Sequence, residues 1–305
     1  MRTCIIVNPN AGSVEDLAAL EAALDRLPGS EVLRTEAAGD AERLAREAVL
    51  GGADLVVAAG GDGTLNEVVN GLSEDFGKAR LGLIPLGTGN DFARSIGVPD
   101  DLEGALEVLE RGEARAVDVA RATIGETSRF FVNMSVGGIS GEVSERASEA
   151  KDRWGPLAYL RGAIGALPEL KGFLTTIILN GGETLRLETF NIVVANGRYV
   201  ASGIPAAPKA VLDDGLLDVV ISPMTTLPQL AVLIPQVLLG RHLESDLLLF
   251  RRATRMEIEC DSPMAFNVDG ELIGENGEAT ARFEILPRAL QVIAGPNAEA
   301  DAFSA

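Results

Sequence analysis

Thr3–Val7, Asp54–Ala59 and Leu81–Ile84 are strand-like runs in which apolar side chains follow one another instead of alternating. A strand of that kind offers no face to water, so it belongs in a parallel sheet covered on both sides. The segments between these runs agree. Val14–Leu27 sets Leu17, Leu20, Leu24 and Leu27 at helical spacing, and Asp40–Leu50 is a helical pattern ending at Gly51-Gly52. Thr64–Leu72 and Asp101–Arg111 read as further helices, and Glu31–Thr35 as a short strand. This βαβα rhythm predicts a parallel-sheet α/β domain over residues 1–122.

After residue 122 the rhythm changes. Strand-like runs occur at Arg129–Val136, Thr175–Leu179, Thr189–Ala195, Leu217–Ile221, Met256–Glu259, Ala265–Val268, Ala281–Leu286 and Leu290–Ala294. Turn dipeptides separate several of them: Asn180-Gly181, Asn196-Gly197, Asp214-Gly215. The expectation is a mainly antiparallel β-sandwich domain over 123–287, with helical insertions near 140–165 and 227–239. A last strand near 288–296 would return to the first domain, and the tail from Asn297 reads as frayed.

Composition removes whole classes of chemistry. A single histidine, His242, excludes a multi-histidine metal site, and two cysteines, Cys4 and Cys260, exclude a disulfide framework or a thiolate zinc site. They fit a reducing, cytoplasmic setting, and the apolar run after Met1 is too short for a signal-peptide core. A net charge of −19 repels nucleic acid, so no nucleic-acid partner is expected, and aromatics are scarce at 4%. What remains is chemistry by carboxylates, hydroxyls, backbone amides and bound ions.

The strongest motif is Val56-Val57-Ala58-Ala59-Gly60-Gly61-Asp62-Gly63-Thr64-Leu65-Asn66-Glu67. A buried strand ends in three glycines within four residues and a helix starts at once. Glycine lets the backbone approach a bulky anion, and the free N–H groups of a helix start favour negative charge. Asp62 suits a magnesium ion bound to a phosphate. Thr64 and Glu67 also have the spacing of a capping box. A second glycine loop, Gly87-Thr88-Gly89-Asn90-Asp91-Phe92-Ala93-Arg94, and a third, Asn8-Pro9-Asn10-Ala11-Gly12-Ser13, follow other strands of the same sheet. Open α/β sheets bind ligands at that rim. Asp91 is equally placed to cap the helix it begins. Neither a Walker phosphate loop nor a dinucleotide fingerprint is present.

Together with Asn8-Pro9 and the late Asn267-Val268-Asp269-Gly270-Glu271, these two glycine loops resemble the diacylglycerol kinase catalytic family, in its bacterial soluble lipid kinase branch. The resemblance runs over nearly the whole chain in the family's order. It implies an N-terminal α/β domain, a C-terminal β-sandwich, ATP in the cleft between them, Mg²⁺, and a lipid alcohol as acceptor, diacylglycerol first. It places nucleotide contacts at Asn8, Pro9, Asn10, Ala11, Gly12, Thr35, Gly60 to Glu67, Gly87, Thr88, Gly89 and Asp91. Asp62, Asp91, Asp269 and Glu271 form its acidic cluster. The acceptor hydroxyl must lose a proton, and with histidine scarce a carboxylate is the base, either Asp269 or Glu271. An ordinary Asp-Gly hairpin turn is the competing reading there. Leu212-Asp213-Asp214-Gly215-Leu216 resembles the family's structural Mg²⁺ site, with Asp214 and the carbonyls of Val211 and Leu216 as ligands. Ser202–Lys209 departs from the commoner family pattern, which bears on substrate identity. An NAD kinase, a sugar kinase and a non-catalytic nucleotide sensor are the alternatives.

A lipid acceptor implies transient contact with a membrane surface and a location at its inner face. Two segments are candidates. Arg146, Lys151, Arg153, Arg161 and Lys171 accompany Trp154 and Tyr159, among acidic residues that largely cancel them. Leu227–Leu239 is an apolar helix followed by Arg241, better suited to core packing. It lies in Val219–Gly240, which has no ionisable side chain but contains Pro223, Pro228 and Pro235, against a membrane span. A homodimer stays open.

Overall fold

The computed structural model describes residues 2–12, 17–24, 27, 29–138, 172–223, 226–296 and 303. The insertion expected near 140–165, the basic cluster from Arg146 to Lys171 with Trp154 and Tyr159, Ser13 of the first loop, and the tail from Asn297 apart from Phe303 lie outside those residues. The chain divides into two compact units, one of residues 1–119, 212–214 and 286–305, the other of 120–211 and 215–285.

In the first unit β1 (Thr3–Val7), β2 (Ser30–Arg34), β3 (Leu55–Gly60) and β4 (Arg80–Pro85) pair in parallel, in the order β4-β3-β1-β2. Every residue of β1 and β3 is buried, as unalternated apolar strands require. The helices are α1 (Leu17–Leu24), α2 (Asp40–Leu50), α3 (Asp62–Gly71), α4 (Asp91–Ser95) and α5 (Leu102–Arg111). α2 buries Ala41, Leu44, Ala45 and Ala48, and α5 buries Ala105, Leu106, Val108 and Leu109, each on one stripe. Register fixes what matters for a site. Val7 lies opposite Ala59, and Gly60 opposite Pro85, so the chain leaves β1, β3 and β4 at one level.

The second unit is built on antiparallel strands. They begin in the latter part of β5 (Ala114–Ile124) and continue with β6 (Thr127–Phe131), β7 (Met134–Gly138), β8 (Phe173–Leu179), β9 (Glu183–Ala195), β10 (Tyr199–Val200) and β11 (Ile204–Pro205). β12 (Leu217–Pro223), α6 (Leu227–Leu238), β13 (Leu249–Ala253), β14 (Arg255–Val268) and β15 (Glu271–Ile293) follow. β9 and β14 serve two layers. The first half of each pairs with β8 and the second half with β7. Strands that change sheets in this way form the corners of a sandwich. Between the layers Phe131, Phe266 and Phe283 are fully buried, with Phe283 set 6.5 Å from Phe131 edge-on and 5.8 Å from Phe266.

Several sequence boundaries move. Arg129–Val136 is two strands, parted at Val132-Asn133, because those residues wrap the Asp269 side chain. Met256–Glu259 and Ala265–Val268 are one strand, β14, whose register shifts between Glu259 and Met264, where Pro263 cannot donate to the ladder. Ala281–Leu286 and Leu290–Ala294 also belong to one strand, β15, which ends in the first unit with Val292 parallel to Leu81 of β4. Among the described residues no helix is long and apolar enough to cross a membrane. Core packing, expected for Leu227–Leu239, holds for only one face of α6. Leu230 and Leu233 are buried, while Val232, Leu238 and Leu239 are exposed.

Candidate active site

The three turns that leave β1, β3 and β4 converge. Asn8 sits at the end of β1, where its side-chain amide donates to Thr64 Oγ1 in the first turn of α3, at 3.1 Å. Thr35 closes β2 beside it, its N–H donating to Val7. Gly61 and Gly87 touch backbone to backbone. A Cβ added to Gly87 would stand 2.6 Å from Gly61 Cα, and one added to Gly12 would meet the Thr88 methyl at 3.5 Å. Only glycine permits the first of these approaches. Pro9, Asn10, Ala11, Gly12, Gly63, Thr88 and Gly89 are at least partly open to solvent on this rim. Gly60 is buried as the last residue of β3, and Leu65 and Asn66 are buried as the inner face of α3. The Leu65 side chain packs in the core, and Asn66 Oδ1 accepts from Asn70 Nδ2 at 3.3 Å.

No side chain caps α3: its first residue follows Gly61 in extended conformation, without a capping hydrogen bond. The N-terminal N–H groups of that helix therefore face the rim with the positive end of the helix dipole. The capping box expected of Thr64 and Glu67 does not form. Both residues lie inside the helix, too late to cap it, and Glu67 instead caps α2. Its carboxylate oxygens accept from Gly39 N–H and Ala41 N–H, each at 3.0 Å. Gly39 has left-handed φ and no capping side chain of its own, so α3 supplies the missing acceptor.

Asp62 ties the second glycine loop to the first. Its Oδ2 accepts from Asn90 N–H and its Oδ1 from Asp91 N–H, both at 3.0 Å. Asp91 therefore does not cap α4. Asn90 holds that position in left-handed conformation, and Asp62 satisfies the N–H groups there. Burial, and next the Asp91 carboxylate, push the Asp62 carboxyl above the ordinary carboxylate range, against the pull of those two N–H groups. Arg94 stands 3.2 Å from Asp91 Oδ1, so it is a partner of the site and not a bare surface cation. Two like charges held together beside an uncapped helix are an arrangement that a divalent cation offsets. Asn90 was not singled out from the sequence. Its side chain bonds Gly87 through both its oxygen and its nitrogen and also reaches Asp100, which makes it the clasp of the loop.

In the second unit the late motif is a two-residue hairpin turn between β14 and β15. Val268 pairs with Glu271, and Asp269 and Gly270 have φ of 45° and 94°. The turn is more than a connection. The Asp269 carboxylate accepts from three successive backbone groups, Val132 N–H at 3.0 Å, Asn133 N–H at 3.2 Å and Met134 N–H at 2.8 Å. Glu271 is exposed and lies 3.4 Å from Arg129 Nε. Arg129 had no signal in the sequence, because its partner is 142 residues away.

The loop with Asp214 is half-buried. Beside it Asp213 meets the Arg288 guanidinium at 3.5 Å, and Asp118 N–H donates to Leu212 O. Val211 and Leu216 have only backbone carbonyls to offer. Among the described residues no three His, Cys, Asp or Glu side chains gather to hold a metal.

Comparison with known proteins gives the family. Residues 2–122 match the diacylglycerol kinase catalytic domain, and residues 133–294 match the YegS C-terminal NAD kinase beta sandwich-like domain. The diacylglycerol kinase of Staphylococcus aureus strain MRSA252 is 34% identical, over 97% of this chain and 93% of its own. A diacylglycerol kinase crystal structure from Bacillus anthracis superposes with a TM-score of 0.81 at 27% identity, covering 97% of this chain and 98% of its own. An NAD kinase of Archaeoglobus fulgidus, solved in complex with ATP, shares the fold at a TM-score of 0.51 and 14% identity, over 98% of this chain and 95% of its own. The chain belongs to the diacylglycerol kinase family and is a phosphotransferase with an alcohol acceptor.

Proposed function

We propose that this protein transfers the γ-phosphate of ATP to the free hydroxyl of diacylglycerol. The observation that carries the reading is the convergence of three strand-end turns, glycine against glycine, around the uncapped start of α3. That rim offers N–H groups and a helix dipole to a polyphosphate and keeps Cβ atoms out of its way. Asn8 and Thr64 fix the first loop against the helix, and Asp62 and Asn90 fix the second, so the donors are set before the nucleotide arrives. Magnesium would be held by Asp62, with Asp91 behind it, and would neutralise charge on the phosphate oxygens.

The proton of the acceptor hydroxyl goes to Glu271. Its neighbour Asp269 already accepts from three N–H groups and is held as part of the backbone framework, whereas Glu271 is open to solvent. As that proton leaves, the hydroxyl oxygen bonds to the γ-phosphorus and ADP departs. Asp269 positions and Glu271 acts. The test is transfer of labelled γ-phosphate to a panel of diacylglycerol, phosphatidylglycerol, a sphingoid base, a polyprenol and NAD. Labelled phosphatidate is the expected product. A product from another acceptor at a higher kcat/KM, or none from any lipid, overturns the proposal.

A further inference from the structure

Surface helices normally turn polar side chains to water. α2 does so, exposing Arg43 and Glu47 as an ion pair. α6 does the reverse. Its outward residues are Pro228, Ala231, Val232, Pro235 and Leu238, joined by Leu239 just past its end, and both of its glutamines are half-buried. Val232 is 56% exposed, Leu238 45% and Leu239 71%, among the most exposed large apolar side chains in the described residues. These positions recur at three- and four-residue spacing, so they form one stripe along the helix. From Val219 through Gly240 there is no ionisable side chain, in a chain whose net charge is −19.

We infer that this stripe is a membrane-docking wedge which enters the apolar layer of a bilayer. Hydrocarbon is the partner its chemistry fits. Protein interfaces draw on Tyr, Trp, Phe, Met and Arg anchors, and the stripe has none of these. A single helix face also falls short of the roughly 800 Å² that each partner of a stable dimer buries. The like charge of a second copy opposes its approach. At its start Thr226 N–H donates to Gln229 Oε1 at 2.8 Å and Pro228 has no N–H, which lowers the number of bare donors that would meet lipid there.

The wedge is also coupled to the loop whose sequence departs from the family pattern. His242 Nε2 lies 2.9 Å from Ala206 O, and α6 packs on β11. The proposal rests on the lipid-kinase reading only for its acceptor; the docking itself is testable without it.

The experiment is co-sedimentation with phosphatidylcholine vesicles containing diacylglycerol, at low and high NaCl, for the parent protein, Val232→Glu and Leu239→Glu. Both substitutions lie in solvent, and melting curves check the fold. Parent binding is expected to change less than about twofold with salt, because no cation sits on the stripe. Each glutamate is expected to weaken binding by about tenfold or more. Phosphorylation of vesicle-borne diacylglycerol should fall in step, while that of a monomeric short-chain diacylglycerol stays within about twofold.

Variants that bind vesicles as the parent does, or parent binding abolished by salt, would overturn the wedge. So would equal loss of rate on both acceptors, which would make the stripe part of the catalytic fold. A parent dimer that Leu239→Glu dissociates without altering vesicle binding assigns the stripe to a second copy instead. Should no diacylglycerol be phosphorylated at all, the functional reading fails and sedimentation still decides the docking.

Discussion

Gly63→Ala separates the stability of the first unit from its affinity for nucleotide. Gly63 is exposed in the first turn of α3, its φ is not left-handed, and an added Cβ would meet nothing within 4 Å. Alanine in a helix is favoured over glycine by about 0.5–1 kcal/mol, so the variant should fold as well or better, melting about 2 °C higher. A phosphate seated on the N–H groups of that turn needs the same open space. A methyl there displaces it by about 1 Å, which costs on the order of 10²-fold in affinity, or about 2.7 kcal/mol. Gly87→Ala is the contrast, because its Cβ would stand 2.6 Å from Gly61 Cα and both stability and affinity should fall. Thermal melting gives the first quantity and calorimetric titration with a non-hydrolysable ATP analogue the second. If Gly63→Ala melts higher and binds the analogue like the parent, the phosphates do not lie on α3 and the reasoning fails.

The neighbouring acids of the late motif should part company. Glu271→Gln should keep the parent melting temperature and lose about 10²–10⁴-fold in kcat. Asp269→Asn turns an amide toward three N–H donors and should cost about 1–3 kcal/mol of stability in urea unfolding; a parent-like midpoint would refute the framework role. Glu67→Gln weakens the cap of α2 and should lower stability by about 0.5–1 kcal/mol while KM for ATP moves less than twofold; a large KM change would restore it to the nucleotide site. Burial, opposed by its backbone contacts, holds the His242 imidazole below its ordinary range. The unfolded chain therefore takes up that proton first, and the stability contributed by neutral His242 is full above about pH 6.5 and is lost as pH falls toward its folded value. Melting of the parent should drop more than that of His242→Gln between pH 7.5 and 5.5, and parallel curves would count against it.

What could be read from the sequence was whatever a few neighbouring residues decide. Unalternated runs such as Leu55–Gly60 declare burial on both faces, and closely spaced glycines declare a backbone that must come near something. Both are local, and both survive in the structure. The role of an acid is not local, since it depends on which donors reach it. Glu67 looked like a capping-box partner of Thr64, yet its donors come from Gly39 and Ala41, 28 and 26 residues earlier. Asp269 and Glu271 are two residues apart and looked interchangeable. Donors 135 to 137 residues away claim the first and leave the second to Arg129.

The same limit explains the strands and α6. Pro263 and Pro287 resemble strand ends, but β14 and β15 run on past them, β15 as far as Val292 beside Leu81. An apolar helix reads as core because nothing in its sequence says that only Leu230 and Leu233 find partners. Sequence thus locates the glycine-lined rim, where the requirement is for absent side chains. It is silent on the division of labour among carboxylates and among apolar faces, where the requirement is for a particular distant neighbour. A substitution that adds an atom to the rim should therefore act on ligand affinity, whereas one that alters a carboxylate acts through its donors, on the fold for Asp269 and Glu67 and on turnover for Glu271.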